Sequence, residues 1–206
     1  MKKFLVNVSL FLFLILIFLI IILSTIGIET NKFNNLISEK ASQSKNIDLK
    51  LETIKFKIDL QELSLFLETK NPKINYKELA VPVENVKVYI DFLSLFKSDT
   101  KIKKTNFVME EIDIAQLKKL SILIKPSNLK SFLNNKIKNG KMDTEIEIFL
   151  NEKGKLKNFI AKGKVKNLKA ELFKDLNLSK TNLNFFADKN DVLIKNIFGN
   201  LEDIKI

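Results

Sequence analysis

The N-terminal part of the chain is uniformly apolar and predicts a membrane-spanning helix. No charged residue occurs in positions 4–28, and a helix over this run would be roughly 37 Å long. That length exceeds the hydrocarbon core of a bilayer, which is roughly 30 Å thick. The competing interpretation is a cleaved signal peptide, with Thr25-Ile26-Gly27 as its cleavage site, but the apolar region of such a peptide is only about 7–15 residues long. The pattern therefore favours a retained anchor over residues 1–28.

The segment after the anchor changes to a helical spacing. Phe33, Leu36, Ile37 and Ala41 would lie on one face of a helix. We expect residues 29–46 to form a short amphipathic helix or linker that lies on the membrane surface or caps the following domain.

From Ile47 onward, apolar residues alternate with polar ones, which is typical of half-buried antiparallel strands. A slip in the alternation at Glu52-Thr53 predicts a bulge. Turn signals at Asn71-Pro72 and in residues 151–154 and 188–191 separate the strands, and residues 151–154 should close a hairpin. The alternating segments are 47–51, 54–58, 86–92, 142–148, 159–165 and 183–187.

Residues 126–140 interrupt the alternation and predict a second short helix. Ser127 is its expected N-cap, and Gly140 is its expected C-terminal stop. The apolar positions at helical spacing are Leu129, Phe132, Leu133 and Ile137.

These elements predict a mainly β fold: an N-terminal transmembrane helix is followed by a curved, antiparallel, groove-like sheet with two short helices, and the β-rich domain covers residues 47–206. A sheet of this length has an apolar face that two short helices cannot cover. A second sheet, a partner chain or the acyl chains of a lipid would have to cover it. The residues expected to line the face are Val86, Val88, Ile90, Phe92, Ile146, Ile148, Phe159, Val165 and Phe185.

The distribution of charge indicates how the chain is oriented in the membrane more clearly than it indicates a binding partner. The net charge is +11, which could attract nucleic acid or anionic lipid, but the lysines are scattered singly along alternating segments. We interpret them as a solvated face and expect no nucleic-acid partner. Lys2 and Lys3 precede the anchor and mixed charges follow it, which predicts a cytoplasmic N-terminus. Because the chain has no Cys, we expect the exported domain to lie in a bacterial periplasm without disulfides.

Residue types that usually carry catalysis are missing. The chain has no His and no Cys, which removes the usual general base, the thiol nucleophile and the common transition-metal ligands. A Ser-x-x-Lys motif occurs at residues 127–130, but also at 42–45 and 94–97, as expected by chance in a Lys-rich chain. The acidic pairs Glu110-Glu111 and Glu202-Asp203 lack the spacing of cation ligands. We therefore predict a non-enzymatic protein with no cofactor and no metal.

Two segments carry a family resemblance: NKFNNLISEKASQSKNIDLKLETIKFKI at residues 31–58 and VKVYIDFLSLFKSDTKIKKTNFVMEEIDI at 86–114. In the second, a strand leads into an Asp-Phe-Leu tract at residues 91–93, a polar turn, and a strand introduced by Lys101-Ile102-Lys103. Together with the anchor, this order of elements resembles the AsmA-like family of bacterial envelope proteins. The family often has a Gly in the turn and a Pro ending the second strand, where this chain has Lys97-Ser98 and Met109-Glu110.

The resemblance implies a periplasmic groove, open along one side, in which phospholipid is held or moves between the inner and outer membranes. Members of the family are commonly longer than 206 residues. The resemblance thus suggests an inner-membrane protein that contributes to outer-membrane biogenesis and lipid homeostasis. The alternative is a scaffold or assembly factor for outer-membrane proteins.

The last residues predict an open sheet edge. The pattern predicts a strand at residues 192–197, a turn, and a second strand at residues 201–206, with nothing to protect the edge of that last strand. We expect the chain to be either a truncated member of a longer family or a protein that completes its sheet by pairing this edge with an envelope protein or another copy.

Overall fold

The computed structural model describes residues 2–30, 34, 47–62, 64–91, 101–123, 126–151, 153, 155–174, 176–202 and 204–205. Helix α1 (Lys2–Thr25) contains one span, Lys3–Thr25, that is long and apolar enough to cross a membrane. The expected amphipathic helix at 31–45 and the candidate Phe92 lie outside the described residues, apart from Asn34.

The mainly β fold is confirmed, and its strands follow α1 almost directly. They are β1 (Ile28–Thr30), β2 (Ile47–Lys50), β3 (Ile54–Asp59), β4 (Ser64–Lys70), β5 (Lys73–Tyr76), β6 (Leu79–Val81), β7 (Val83–Ile90), β8 (Ile102–Met109), β9 (Ile112–Asp113), β10 (Ile137–Leu150), β11 (Leu156–Phe173), β12 (Leu176–Asp188), β13 (Val192–Leu201) and β14 (Ile204–Lys205).

Eleven of these strands form one antiparallel sheet. Its order is β1-β3-β4-β7-β8-β10-β11-β12-β13-β14, with β9 beside β10. The order is that of a meander, since neighbours in the sheet are mostly neighbours along the chain. The predicted hairpin turn after β10 is confirmed, since Asn151 N–H donates to Lys155 O between β10 and β11. The predicted turn at 188–191 also closes a hairpin, because Asp188 N–H donates to Asp191 O between β12 and β13.

A second, three-stranded sheet of order β2-β5-β6 corrects the prediction of a single sheet. The irregularity at Glu52-Thr53 is therefore not a bulge within one strand. Leu49 in β2 pairs with Ile74 in β5, whereas Phe56 in β3 pairs with Leu67 in β4. The change of phase marks the point where the chain leaves one sheet and enters another.

Two short helices lie beside β10. Helix α2 (Ile114–Ser121) was missed by the strand pattern, although Asp113 and Gln116 form a capping box: the Asp113 carboxylate accepts from Gln116 N–H and the Gln116 side chain accepts from Asp113 N–H. Helix α3 (Asn128–Asn135) begins after the N-cap Ser127, as predicted.

Gly140 does not stop α3, which corrects the prediction. The helix ends at Asn135, and Ile137 already pairs with Ala170 of β11, so Gly140 lies inside β10. The reason is tertiary: pairing with β11 extends β10 back into a segment whose local spacing suits a helix.

The core is concentrated at the β3, β4 and β7 end of the main sheet, where both faces contribute buried side chains. The buried apolar residues are Ile54, Leu65, Phe66, Val83, Val86, Tyr89, Ile90, Ile112, Leu133 and Ala170.

Candidate functional site

The sheet register places the predicted apolar residues on one face. Residues that are directly opposite in paired strands project to the same side of a sheet. Val86 lies opposite Phe107, which in turn lies opposite Ile146. Phe107 was missing from the sequence-based set, because residues 102–109 do not alternate between apolar and polar side chains.

The second row of the face runs parallel to the first. Val88 lies opposite Thr105, Thr105 lies opposite Ile148, and Ile148 lies opposite Phe159. Thr105 thus introduces a polar atom into an otherwise apolar row.

The same face continues into β12 and β13. Val165 pairs with Leu183, and Phe185 pairs both with Gly163 of β11 and with Ile194 of β13. We call this surface the apolar face. At the other end of the sheet it includes Leu65 of β4, which lies opposite Ile90.

Exposure along the apolar face divides it into two parts. Val86 and Ile90 are only 8% and 7% exposed and belong to the core. Ile146, Ile148, Phe159, Val165 and Phe185 are partly exposed, and so is Val88 at the boundary between the two parts. The part from β8 to β13 is therefore the one with surface left for a ligand.

Gly163 allows the strands of the open part to approach closely. A Cβ at this position would collide with the carbonyl oxygen of Asp143 and lie 2.9 Å from Cε1 of Phe185. The Phe185 ring thus occupies the space that a side chain at residue 163 would need. An aromatic ring over a strand glycine restores part of the packing that the glycine lacks.

The opposite face carries a ladder of charges that starts at Glu68. This carboxylate is almost fully buried and lies 2.7 Å from Lys57 Nζ, while Asn85 Nδ2 donates to it at 2.9 Å. Burial raises the pKa of Glu68, but the hydrogen bonds from Lys57 and Asn85 and the charges of Lys57 and Lys87 outweigh it and lower the pKa below its ordinary value.

The ladder continues through Glu145 of β10. Asn106 Nδ2 donates to Glu145 at 2.6 Å and Lys162 Nζ lies 3.0 Å from it. Burial again raises the pKa of Glu145, and these hydrogen bonds together with the Lys162 charge lower it overall. Lys57, Lys87 and Lys162 of this face are thus each paired with a carboxylate on a neighbouring strand.

An aromatic pair fills the polar face next to this ladder. Phe66 and Tyr89 stack with ring centroids 5.2 Å apart, and Lys104 Nζ lies 4.3 Å from the Tyr89 centroid. Burial and the nearby charges of Asp59, Glu62, Glu147 and Glu145 raise the pKa of Tyr89 to about 12. The hydroxyl therefore stays protonated at neutral pH.

The side chains that the sequence offers as candidates for catalysis or cation binding make structural contacts. The Ser127 hydroxyl accepts from Lys130 N–H at 3.1 Å as the cap of α3. Glu111 bridges Lys141 at 2.7 Å and Lys166 at 3.0 Å. Within the described ranges, no three acidic side chains form a group that could hold a metal ion.

A cleft of about 750 Å³ lies where β5 and β6 meet α2. Ile74, Leu79, Val81 and Leu120 are among its apolar lining residues, and Lys73 and Lys119 are among its polar ones. It lies apart from the candidate residues of the apolar face.

Comparisons with models of known families, with curated proteins and with solved structures find no match for this chain.

Proposed function

We propose that this chain is a membrane-anchored, non-catalytic protein whose apolar face binds the acyl chains of phospholipid. The observation that carries the proposal is the register, which aligns apolar side chains from β7 to β13 on one face and leaves them partly exposed from β8 onward. A contiguous exposed apolar surface in a folded protein marks an interaction site.

The dimensions of the open part suit a lipid chain. Five strands from β8 to β13 lie along the sheet order, so the open part is about 19 Å wide at roughly 4.8 Å per strand spacing. Acyl chains of one leaflet fill about half of the roughly 30 Å hydrocarbon core. One such chain would fit across these strands.

The location follows from the anchor. We place α1 in the inner membrane of a bacterium as a single pass, with its N-terminus cytoplasmic and the sheet in the periplasm, since Lys2 and Lys3 precede the apolar span. A role of the AsmA-like type, in outer-membrane biogenesis and lipid homeostasis, is consistent with this arrangement and with an open apolar face.

Lipid analysis tests the proposal directly. The full chain, extracted in mild detergent, should carry more phospholipid by mass spectrometry than a control in which α1 anchors an unrelated soluble domain. Equal lipid content in the two samples would contradict acyl-chain binding by the sheet.

A protein-docking scaffold is the second candidate, and β13 favours it. Val192 is 64% exposed on the apolar face, and Leu193 is 47% exposed on the opposite face. A strand that is apolar on both faces is typical of one buried between other elements. Acyl chains on one face would leave Leu193 uncovered, whereas a partner protein along β13 could cover both residues.

A further inference from the structure

The junction between α1 and the sheet is short. Ile26 and Gly27 connect α1 to β1, and the N–H groups of both residues donate to the carbonyl of Ile22, at 3.0 and 2.9 Å. The hydroxyls of Ser24 and Thr25 donate to the Ile21 carbonyl, so both side chains are bonded within the last turn of α1. Hydroxyls that are bonded in this way are tolerated at an apolar boundary.

Gly27 fixes the direction of the connection. It is buried, its φ is +79°, and a Cβ there would lie 2.7 Å from Lys57 Cγ and 3.0 Å from the Phe56 carbonyl oxygen. Only glycine adopts this conformation freely and leaves the required space.

Strand β1 then locks the chain to the sheet. Ile28 pairs with Phe56 and Thr30 pairs with Ile54, while the Glu29 carboxylate lies 3.0 Å from Lys55 Nζ. The sequence-based boundary after residue 28 therefore falls inside a strand of the main sheet. The anchor is not followed by a flexible tether.

The length of α1 brings this junction to the bilayer surface. A membrane span needs about 20 apolar residues, so a span that begins at Phe4 extends to about Leu23. Ile20, Ile22 and Leu23 are partly buried, and α1 contacts β3. The residues that complete the span are thus the ones that pack on the domain.

The end of the sheet nearest the anchor exposes apolar side chains. Because β1 runs antiparallel to β3 and enters opposite Phe56, the anchor lies on the Asp59 side of β3. The turn after β3 is held by Asp59, whose Oδ1 accepts from Gln61 N–H and Glu62 N–H. Leu60 at this turn is 52% exposed, and Ile26 and Ile28 at the junction are 65% and 51% exposed.

We propose that the lipid bilayer surface is the docking partner of this corner of the sheet, with Ile26, Ile28 and Leu60 in the interfacial region and α1 and the sheet held as one body. The proposal rests on the membrane anchoring in the proposed function, but not on lipid binding by the apolar face. It places the β3 end of that face beside the outer surface of the membrane.

Fluorescence quenching can test the docking, because a chain without Cys accepts single-cysteine variants without background. The full-length variants Ile28→Cys and Leu60→Cys would carry an environment-sensitive fluorophore in vesicles of phosphatidylcholine and phosphatidylglycerol. Leu12→Cys marks the span, and Phe173→Cys, an exposed apolar site at the opposite strand end of β11, is the matched control.

Nitroxide labels on the lipid head groups should quench Ile28→Cys and Leu60→Cys but not Phe173→Cys, and nitroxides on the acyl chains should quench Leu12→Cys. Quenching at Leu12→Cys without quenching at Leu60→Cys would overturn the docking and leave the anchor standing. If Leu12→Cys is unquenched, the anchor fails and the docking fails with it.

A flexible Gly/Ser insertion between Gly27 and Ile28 tests whether α1 and the sheet form one body. It should reduce the quenching at Leu60→Cys and leave that at Leu12→Cys unchanged. Unchanged quenching at Leu60→Cys would overturn the rigid coupling.

Discussion

At the scale of single residues, Glu68 should contribute a pH-dependent part of the stability. Its pKa lies below the ordinary value of 4.5 because Lys57, Asn85 and Lys87 outweigh the effect of burial. A lowered folded-state pKa gives stability that is present above pH 4.5 and is lost as the pH falls through the folded-state pKa.

We expect Glu68→Gln to lower the free energy of unfolding by about 1–3 kcal/mol at neutral pH, because a buried charged hydrogen-bond acceptor is removed. The loss should shrink as the pH drops below 4.5. Urea unfolding of the full chain in detergent, followed by circular dichroism across this pH range, measures both effects. Glu84→Gln, at an exposed carboxylate, is the control. A Glu68→Gln loss that stays constant with pH would contradict the prediction.

Gly163 gives a second prediction at this scale. Gly163→Ala should destabilise the protein by about 1–3 kcal/mol, because the added methyl forces β10 away from β11 or displaces the Phe185 ring. Ala161→Gly, two residues away on the same face, should cost only about 0.5–1 kcal/mol, from backbone entropy. Thermal melting of both variants compares them, and equal losses would show that the close approach at Gly163 is not constraining.

At the scale of elements, adjacent residues of β10 lie on opposite faces of the sheet: Ile148 is on the apolar face and Glu147 is on the polar face. Ile148→Asp puts a carboxylate on the apolar face and should cost about 1–3 kcal/mol and reduce phospholipid loading. Glu147→Gln on the opposite face should stay within about 0.5 kcal/mol and keep its lipid. Melting and lipid mass spectrometry give both readouts, and similar behaviour of the two variants would refute acyl-chain binding at Ile148.

For Val88 and Lys87, the corresponding pair of residues on β7, the structure changes the result that we expect. From sequence, Val88→Asp should abolish lipid retention or folding, and substitution of Lys87 should be nearly silent. In the structure Lys87 Nζ lies 4.0 Å from the Glu68 carboxylate and 5.6 Å from the Phe66 ring centroid. We therefore expect replacement of Lys87 to cost more than replacement of Glu147.

Strand β13 should exchange its amide hydrogens unevenly. In the part of the chain that the structure describes, β14 pairs with β13 only at Asn200 and Leu201. In residues 192–198, the backbone N–H groups that point away from β12 should therefore exchange faster than the N–H groups of β11. Hydrogen exchange on the full chain in dilute detergent solution measures both rates.

If β13 docks a second copy, this exchange should slow as the protein concentration rises, and Leu193→Lys should remove the concentration dependence. Ser179→Ala, on the paired strand β12, is the control. Exchange that is fast at every concentration would exclude self-pairing through β13.

At the scale of the whole molecule, lipid contact should follow the exposure of the apolar face. A photoreactive amino acid at Ile148 or Phe185 should give abundant lipid adducts in membranes. The same probe at Val86, which is 8% exposed, should give few. Mass spectrometry of the adducts measures the gradient. Equal yields at all three positions would mean that lipid reaches the core end of the sheet as well.

The local sequence determined the apolar N-terminal helix, the hairpins and the shared face. The N-terminal helix follows from composition alone, because its uncharged run is longer than the hydrocarbon core of a bilayer is thick. The turns at Asn151 and Asp188 are set by side chains that bond to nearby backbone groups. Strand alternation fixes which residues face the same way once the register is known. For this reason the described candidates from Val86 to Phe185 all fall on one face.

Other features depended on contacts distant in sequence. Phe66 and Tyr89 are aromatic residues on the polar face, where they stack on each other across β4 and β7. Gly140 is a strand residue because β11 pairs with β10 there, and Ile28 is a strand residue because β3 lies beside it. Alternation within a segment carries no information about which strand becomes its neighbour. Only the tertiary structure decided the division into two sheets, the buried and open parts of the apolar face, and the direct attachment of the sheet to helix α1.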